Sequence, residues 1–212
     1  MKKKLTAPLG RIHEIYRGGK ISKDRLVGLS DGFIAIIITL MVLEIPVPKS
    51  MSNTAEIATF GLSILIYFAS FIVVGLQWNR HHHILERVEK VSNSFIWKNM
   101  IYLFSLSLIP LLMKWIISFP GEILPAFCYA LSYIFNDFCL RWIYLSSRED
   151  GSGLFHNLHK SYGRRRQALR MLLTFIWIVL ILVISVIAPQ VEIFFLIILP
   201  VMISLQNLFE KE

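Results

Sequence analysis

The sequence predicts an all-α, polytopic membrane protein of six transmembrane helices, and three observations carry that prediction. Hydrophobic residues make up 55% of the 212 and the mean hydropathy is +0.60, more apolar than a soluble domain of this length needs. Six stretches approach the roughly 20 residues that a helix needs to cross a hydrocarbon core about 30 Å thick. The cations are distributed unevenly between the connections. Of the 22 Lys and Arg residues, only Lys49 and Lys114 fall outside if both termini are cytoplasmic, and retention of positive charge on the cytoplasmic side sets orientation.

The first span runs from about Leu26 to Ile45. Ser22 and Asp24 supply an N-cap and an acidic first turn, and Pro46 and Pro48 stop the helix. Its run from Phe33 to Leu43 follows Ser30-Asp31 and meets Glu44 rather than a small-residue cleavage site, so it reads as a mature helix and not a signal core. The second span, Ile57 to Leu76, is free of charge. The third, Phe95 to Ile117, carries Lys98 and Lys114 near its ends and Pro110 as a kink. The fourth, Ile123 to Leu145, contains Asp137 and Arg141, whose i,i+4 spacing lets them satisfy one another. The fifth, Met171 to Val191, is charge-free and turns at Ala188-Pro189-Gln190 into a short sixth, Ile193 to Phe209. The expected organisation is a basic cytoplasmic arm over 1–24, a membrane domain over 25–209 and a cytoplasmic tail over 210–212.

The net charge of +8 is spread over the inner connections, which reads as topology and attraction to anionic lipid, with no nucleic-acid partner. Cys128 and Cys139 share one predicted helix about 16 Å apart along its axis, too far for a disulfide. No Ser-His-Asp order, P-loop or dinucleotide glycine fingerprint is present, so the chain is expected not to be an enzyme. His81-His82-His83, with His156 and His159, are the candidate metal ligands. Their spacing differs from membrane histidine boxes and no carboxylate-rich helix pair accompanies them, so no metal and no cofactor are expected.

A carboxylate at the threshold of a membrane helix needs compensation nearby, which makes Arg25 and Leu29-Ser30-Asp31-Gly32 the most informative stretch. It resembles the R-x-x-x-F-S-D signature of the transmembrane protein 175 family, potassium-permeable channels of lysosomes and bacteria, with Leu29 in place of the signature Phe. Trp78, His81, His82, Asn99 and Ser107-Leu108-Ile109-Pro110 extend the resemblance, which covers about Arg25 to Pro110. It implies that Arg25, Ser30, Asp31, Trp78, His81, His82 and Asn99 form a packing and hydrogen-bond network.

At about 100° per residue, Gly32, Ile36, Thr39, Leu40 and Leu43 form one stripe, and Asp31 points roughly 140° from Ile36. The resemblance implies that this stripe lines a pore, with Ile36 the narrowest point, Leu40 and Leu43 continuing the neck and Thr39 offering a hydroxyl. Thr39 also has the option of bonding the carbonyl four residues earlier, and Glu44 of attracting cations at an outer mouth. No T-V-G-Y-G segment is present, so a carbonyl filter is not expected.

The family further implies a homotetramer for a single-repeat member, potassium ions and the lipid bilayer as partners, and a bacterial cell membrane as its place. A proton-coupled or ion-coupled secondary transporter is the alternative. A pairing of His81 or His82 with Asp31 would make gating sensitive to pH.

Overall fold

The computed structural model describes residues 22–88, 91–149, 164–192, 194 and 195. Among these residues the main helices follow in order: α1 Lys23–Leu43, α2 Thr54–Glu86, α3 Asn93–Ser107, α4 Ile109–Ser118, α5 Ile123–Glu149 and α6 Arg164–Ile187. Among the described residues, four spans are long and apolar enough to cross a membrane: Lys23–Leu43, Thr54–Glu86, Asn93–Ser118 and Ile123–Ser146. The chain is an integral membrane protein. The predicted fifth span, Met171 to Val191, is helical as far as Ile187 within α6; the predicted sixth lies almost wholly outside the described residues.

The helix ends are set by local chemistry. Ser22 Oγ accepts the Arg25 backbone N–H at 3.4 Å and starts α1. Asn53 Oδ1 caps α2 by accepting from Ala55 and Glu56 N–H, while Glu56 reaches back to accept the Lys49 and Ser50 N–H groups at 2.8 and 3.3 Å. That reciprocal pairing ties the loop after α1 to the start of α2. Ser92 Oγ caps α3 through the Phe95 N–H. At 33 residues, α2 is about 50 Å long and exceeds the hydrocarbon thickness, so part of the helix extends beyond the core.

The predicted third span is two helices. Pro110 has no N–H to donate to the Leu106 carbonyl, and the chain tightens at Leu108, whose N–H reaches Ser105 O at 3.4 Å before α4 begins. Between α4 and α5, Gly121 adopts φ 87° and a Cβ there would stand 3.0 Å from Gln190 Nε2. The position therefore requires glycine both for its backbone and for the close approach of the turn after α6.

Helix α1 packs against α2, α3 and α4, and α5 lies against α2, α3, α4 and α6. The core between them is large and closed, with Phe95, Tyr102, Leu106, Met113, Tyr129, Leu140 and Ile143 among the fully buried side chains. The start of α1, the end of α2, the start of α3 and the end of α5 share one end of the bundle, here the Ser22 end; the opposite end is the Glu44 end.

Candidate functional site

Helix α1 has two faces of different character. Leu26, Ser30, Ile34, Ile37 and Met41 are buried against the neighbouring helices. Ile36, Thr39, Leu40 and Leu43 are exposed, Ile36 at 57% and Leu43 at 76%. Gly32 continues that exposed stripe toward the Ser22 end.

Ser30 is held by a chain of hydrogen bonds whose direction is fixed at its end. Ser30 Oγ lies 2.8 Å from Leu26 O, and a carbonyl can only accept, so the hydroxyl donates. The Asn99 Nδ2 then donates to Ser30 Oγ at 2.9 Å. This turns Asn99 Oδ1 toward His81, 2.7 Å from Nε2, and Nε2 must carry the proton. The ring stacks on Tyr102 with centroids 4.9 Å apart. Ser30, His81 and Asn99 are all fully buried, so the string joins α1, α2 and α3 where water cannot replace its bonds.

Asp31 belongs to a second, half-exposed string. Trp78 Nε1–H donates to Asp31 Oδ1 at 2.8 Å, and the His82 ring stacks on Trp78 at 5.4 Å. Next, His82 Nε2 lies 3.3 Å from Glu86 Oε1. The histidine–Asp31 pair that would make gating sensitive to pH is not made: the indole N–H bonds the carboxylate while His81 faces Asn99. An indole has no proton to lose in the physiological range, so Trp78 brings no titrating group to this contact. All the signature residues but Arg25 enter one string or the other; Arg25 is exposed, and among the described residues its guanidinium has no side-chain partner.

The packing corrects one other expectation and supplies partners for two further residues. Asp137 pairs with Arg80 of α2 at 2.5 Å, not with Arg141 one turn along its own helix. Thr39 Oγ1 donates to the carbonyl of Ile36, three residues earlier, at 2.9 Å. Glu44 is paired with Lys114 at 2.8 Å, which joins the end of α1 to α4. Both partners are partly exposed, so the pair contributes about 0–1 kcal/mol to stability but cancels much of the Glu44 charge.

His82 and His83 both turn to Glu86, and His156 and His159 lie outside the described residues. Among the described residues there is no group of three or more His, Cys, Asp or Glu suited to a metal ion. Sequence reasoning missed Glu192 beyond α6, whose two carboxylate oxygens are buried without a partner among the described residues. Burial pushes its pKa up to about 8. Its place between two apolar stretches was the available signal.

Comparison with known proteins bears on the segment that holds both faces of α1. The family described as endosomal/lysosomal potassium channel TMEM175 matches residues 25–110. A potassium channel of Chryseobacterium sp. (strain P1-3) is 47% identical over 96 residues, covering 45% of this chain and 50% of that protein. Residues 25–110 resemble the TMEM175 family. The mouse endosomal/lysosomal proton channel TMEM175 is 34% identical over 102 residues, covering 43% of this chain and 20% of that protein. The matches thus span half or less of the length of these two relatives. The crystal structure of a lysosomal potassium-selective channel TMEM175 homolog from Chamaesiphon minutus superposes with a TM-score of 0.68 at 21% identity, covering 87% of this chain and 97% of that one. The TMEM175 fold therefore extends well beyond the matched segment.

Proposed function

We propose that this protein is a potassium-permeable, leak-like cation channel of a bacterial cell membrane. Copies of α1 surround a central pore, and Ile36, Leu40 and Leu43 form an apolar constriction with Thr39 beside it. The observation that carries the reading is positional. Within the TMEM175 segment, the apolar stripe is left exposed by its own protomer and lies away from the hydrogen-bonded face that anchors the helix. The potassium-channel names of the bacterial relatives support the ion.

One copy of α1 cannot enclose a pore, whereas closed cyclic assembly can; we infer a homotetramer. The cation distribution supports cytoplasmic termini and six spans within 25–209, flanked by the arm 1–24 and the tail 210–212. An apolar neck gates by dewetting and by the cost of stripping water from the ion, which gives slow conduction and modest selectivity without a carbonyl ring. Glu44 stands near the proposed outer mouth, its attraction for cations reduced by Lys114.

Cation flux through purified protein in liposomes tests the reading, with potassium, sodium and proton gradients imposed separately. Passive, downhill flux favouring potassium is expected. Flux that saturates and requires a second ion gradient would make the protein a coupled transporter instead.

A further inference from the structure

A cleft of about 350 Å³ opens between the ends of α2 and α5, away from the exposed stripe of α1. Arg80, Arg87, Arg141 and Asp137 supply its charge, and Ile84 and Leu140 an apolar wall. We propose that this cleft binds a phosphate-bearing anion, the headgroup of an anionic phospholipid.

Charge comes first. Asp137 is already matched by Arg80 at 2.5 Å, and the His83 ring is turned to Glu86, Nδ1 to Oε2 at 3.2 Å. Arg87 and Arg141 form no ion pair among the described residues, which leaves two guanidinium groups facing one cleft. The C-terminal end of α2 opposes an anion with roughly half a negative charge, too little to offset them. Guanidinium groups present forked N–H donors that match phosphate oxygens and bond them more strongly than neutral donors do.

Position selects the source. Trp78 on α2 and Trp142 on α5 are partly exposed at this same end of the bundle, where indoles mark the headgroup level of a bilayer. Lys98 Nζ lies 5.3 Å from the Trp142 ring centroid and adds a further cation nearby. A cleft with arginines on its rim and Ile84 and Leu140 on its wall fits a headgroup with the start of an acyl chain better than a free ion. The site is separate from the proposed constriction, and its occupancy is measurable without any flux.

The test titrates the full-length protein in neutral detergent with phosphatidylglycerol, phosphatidylcholine and inorganic phosphate, counting bound adducts by native mass spectrometry. Phosphatidylglycerol is expected to bind about tenfold more tightly than phosphatidylcholine, whose phosphate carries a choline cation that the arginines repel. The double substitution Arg87→Gln, Arg141→Gln should abolish that preference, Arg87→Lys with Arg141→Lys should retain part of it, and Lys49→Gln at the Glu44 end should leave it intact. Failure of millimolar phosphate to displace the lipid supports the headgroup; displacement that depends on the arginines reassigns the site to soluble phosphate and overturns the lipid as its occupant. Equal binding of the two lipids, or a preference that survives both glutamines in protein with wild-type melting, overturns the proposal.

Discussion

The two faces of α1 are made from nearly the same residue types but are held by different things. On the buried face, Ile34, Ile37 and Met41 pack into neighbouring helices, and Ser30 is fixed by Asn99. On the exposed face, Ile36, Leu40 and Leu43 touch little of their own protomer. The difference teaches that hydrophobicity along this helix does not assign a role. The polar residues do, because a buried hydroxyl and amide need specific partners and so fix the rotation of the helix. Whatever uses the opposite stripe lies outside the protomer.

The largest expected break in that contrast comes from Asn99→Leu. It strands the buried Ser30 and His81 groups together and should destabilise the protein by about 3 kcal/mol, read as an early melting transition in detergent. Glu192 gives the next effect. Its carboxyl keeps its proton in the fold up to about pH 8, whereas an ordinary glutamate gives it up near 4.5. The folded state therefore holds more protons between those values, and stability is full below the lower one, falls through the interval and levels off above the upper. The slope should not exceed about 1.4 kcal/mol per pH unit. Melting curves from pH 4.5 to 8 should show the decline in wild type and a flatter profile in Glu192→Gln.

Smaller effects sharpen the reading of the exposed face. Lys114→Gln uncovers the Glu44 carboxylate at the proposed mouth and should raise cation flux about twofold at low salt. The gain should vanish near 1 M salt, where the Debye length falls to about 3 Å. Thr39→Ala should lower potassium flux by no more than about twofold, because the hydroxyl donates to its own helix at Ile36 and keeps its oxygen lone pairs for a passing cation, while the apolar neck sets most of the barrier.

Much of α1 was legible in the sequence because its signals are local: Ser22 at one end, Pro46 and Pro48 at the other, and Ser30-Asp31 about two turns inside. The division of the third span was partly legible, since Pro110 announces a lost hydrogen bond. Pairings between helices were not. Asp137 has Arg141 at ideal helical spacing, yet Arg80 approaches it from α2, and spacing along one helix carries no information about what faces it from another. Asp31 likewise had several candidate donors, and only the packing of α1 on α2 selects Trp78. The apolar stripe illustrates the same limit: in a helix apolar nearly all round, periodicity does not separate a pore face from a lipid face.

Ile36 and Ile37 are adjacent and chemically identical, yet 57% and 2% exposed. Substituting each by asparagine, and measuring melting and potassium flux on the same preparations, tests the central claim most directly. The account predicts that Ile37→Asn lowers stability by about 3 kcal/mol, whereas Ile36→Asn melts like wild type, conducts about tenfold faster and discriminates less between potassium and sodium. An Ile36→Asn protein that folds normally and conducts no differently from wild type would contradict it.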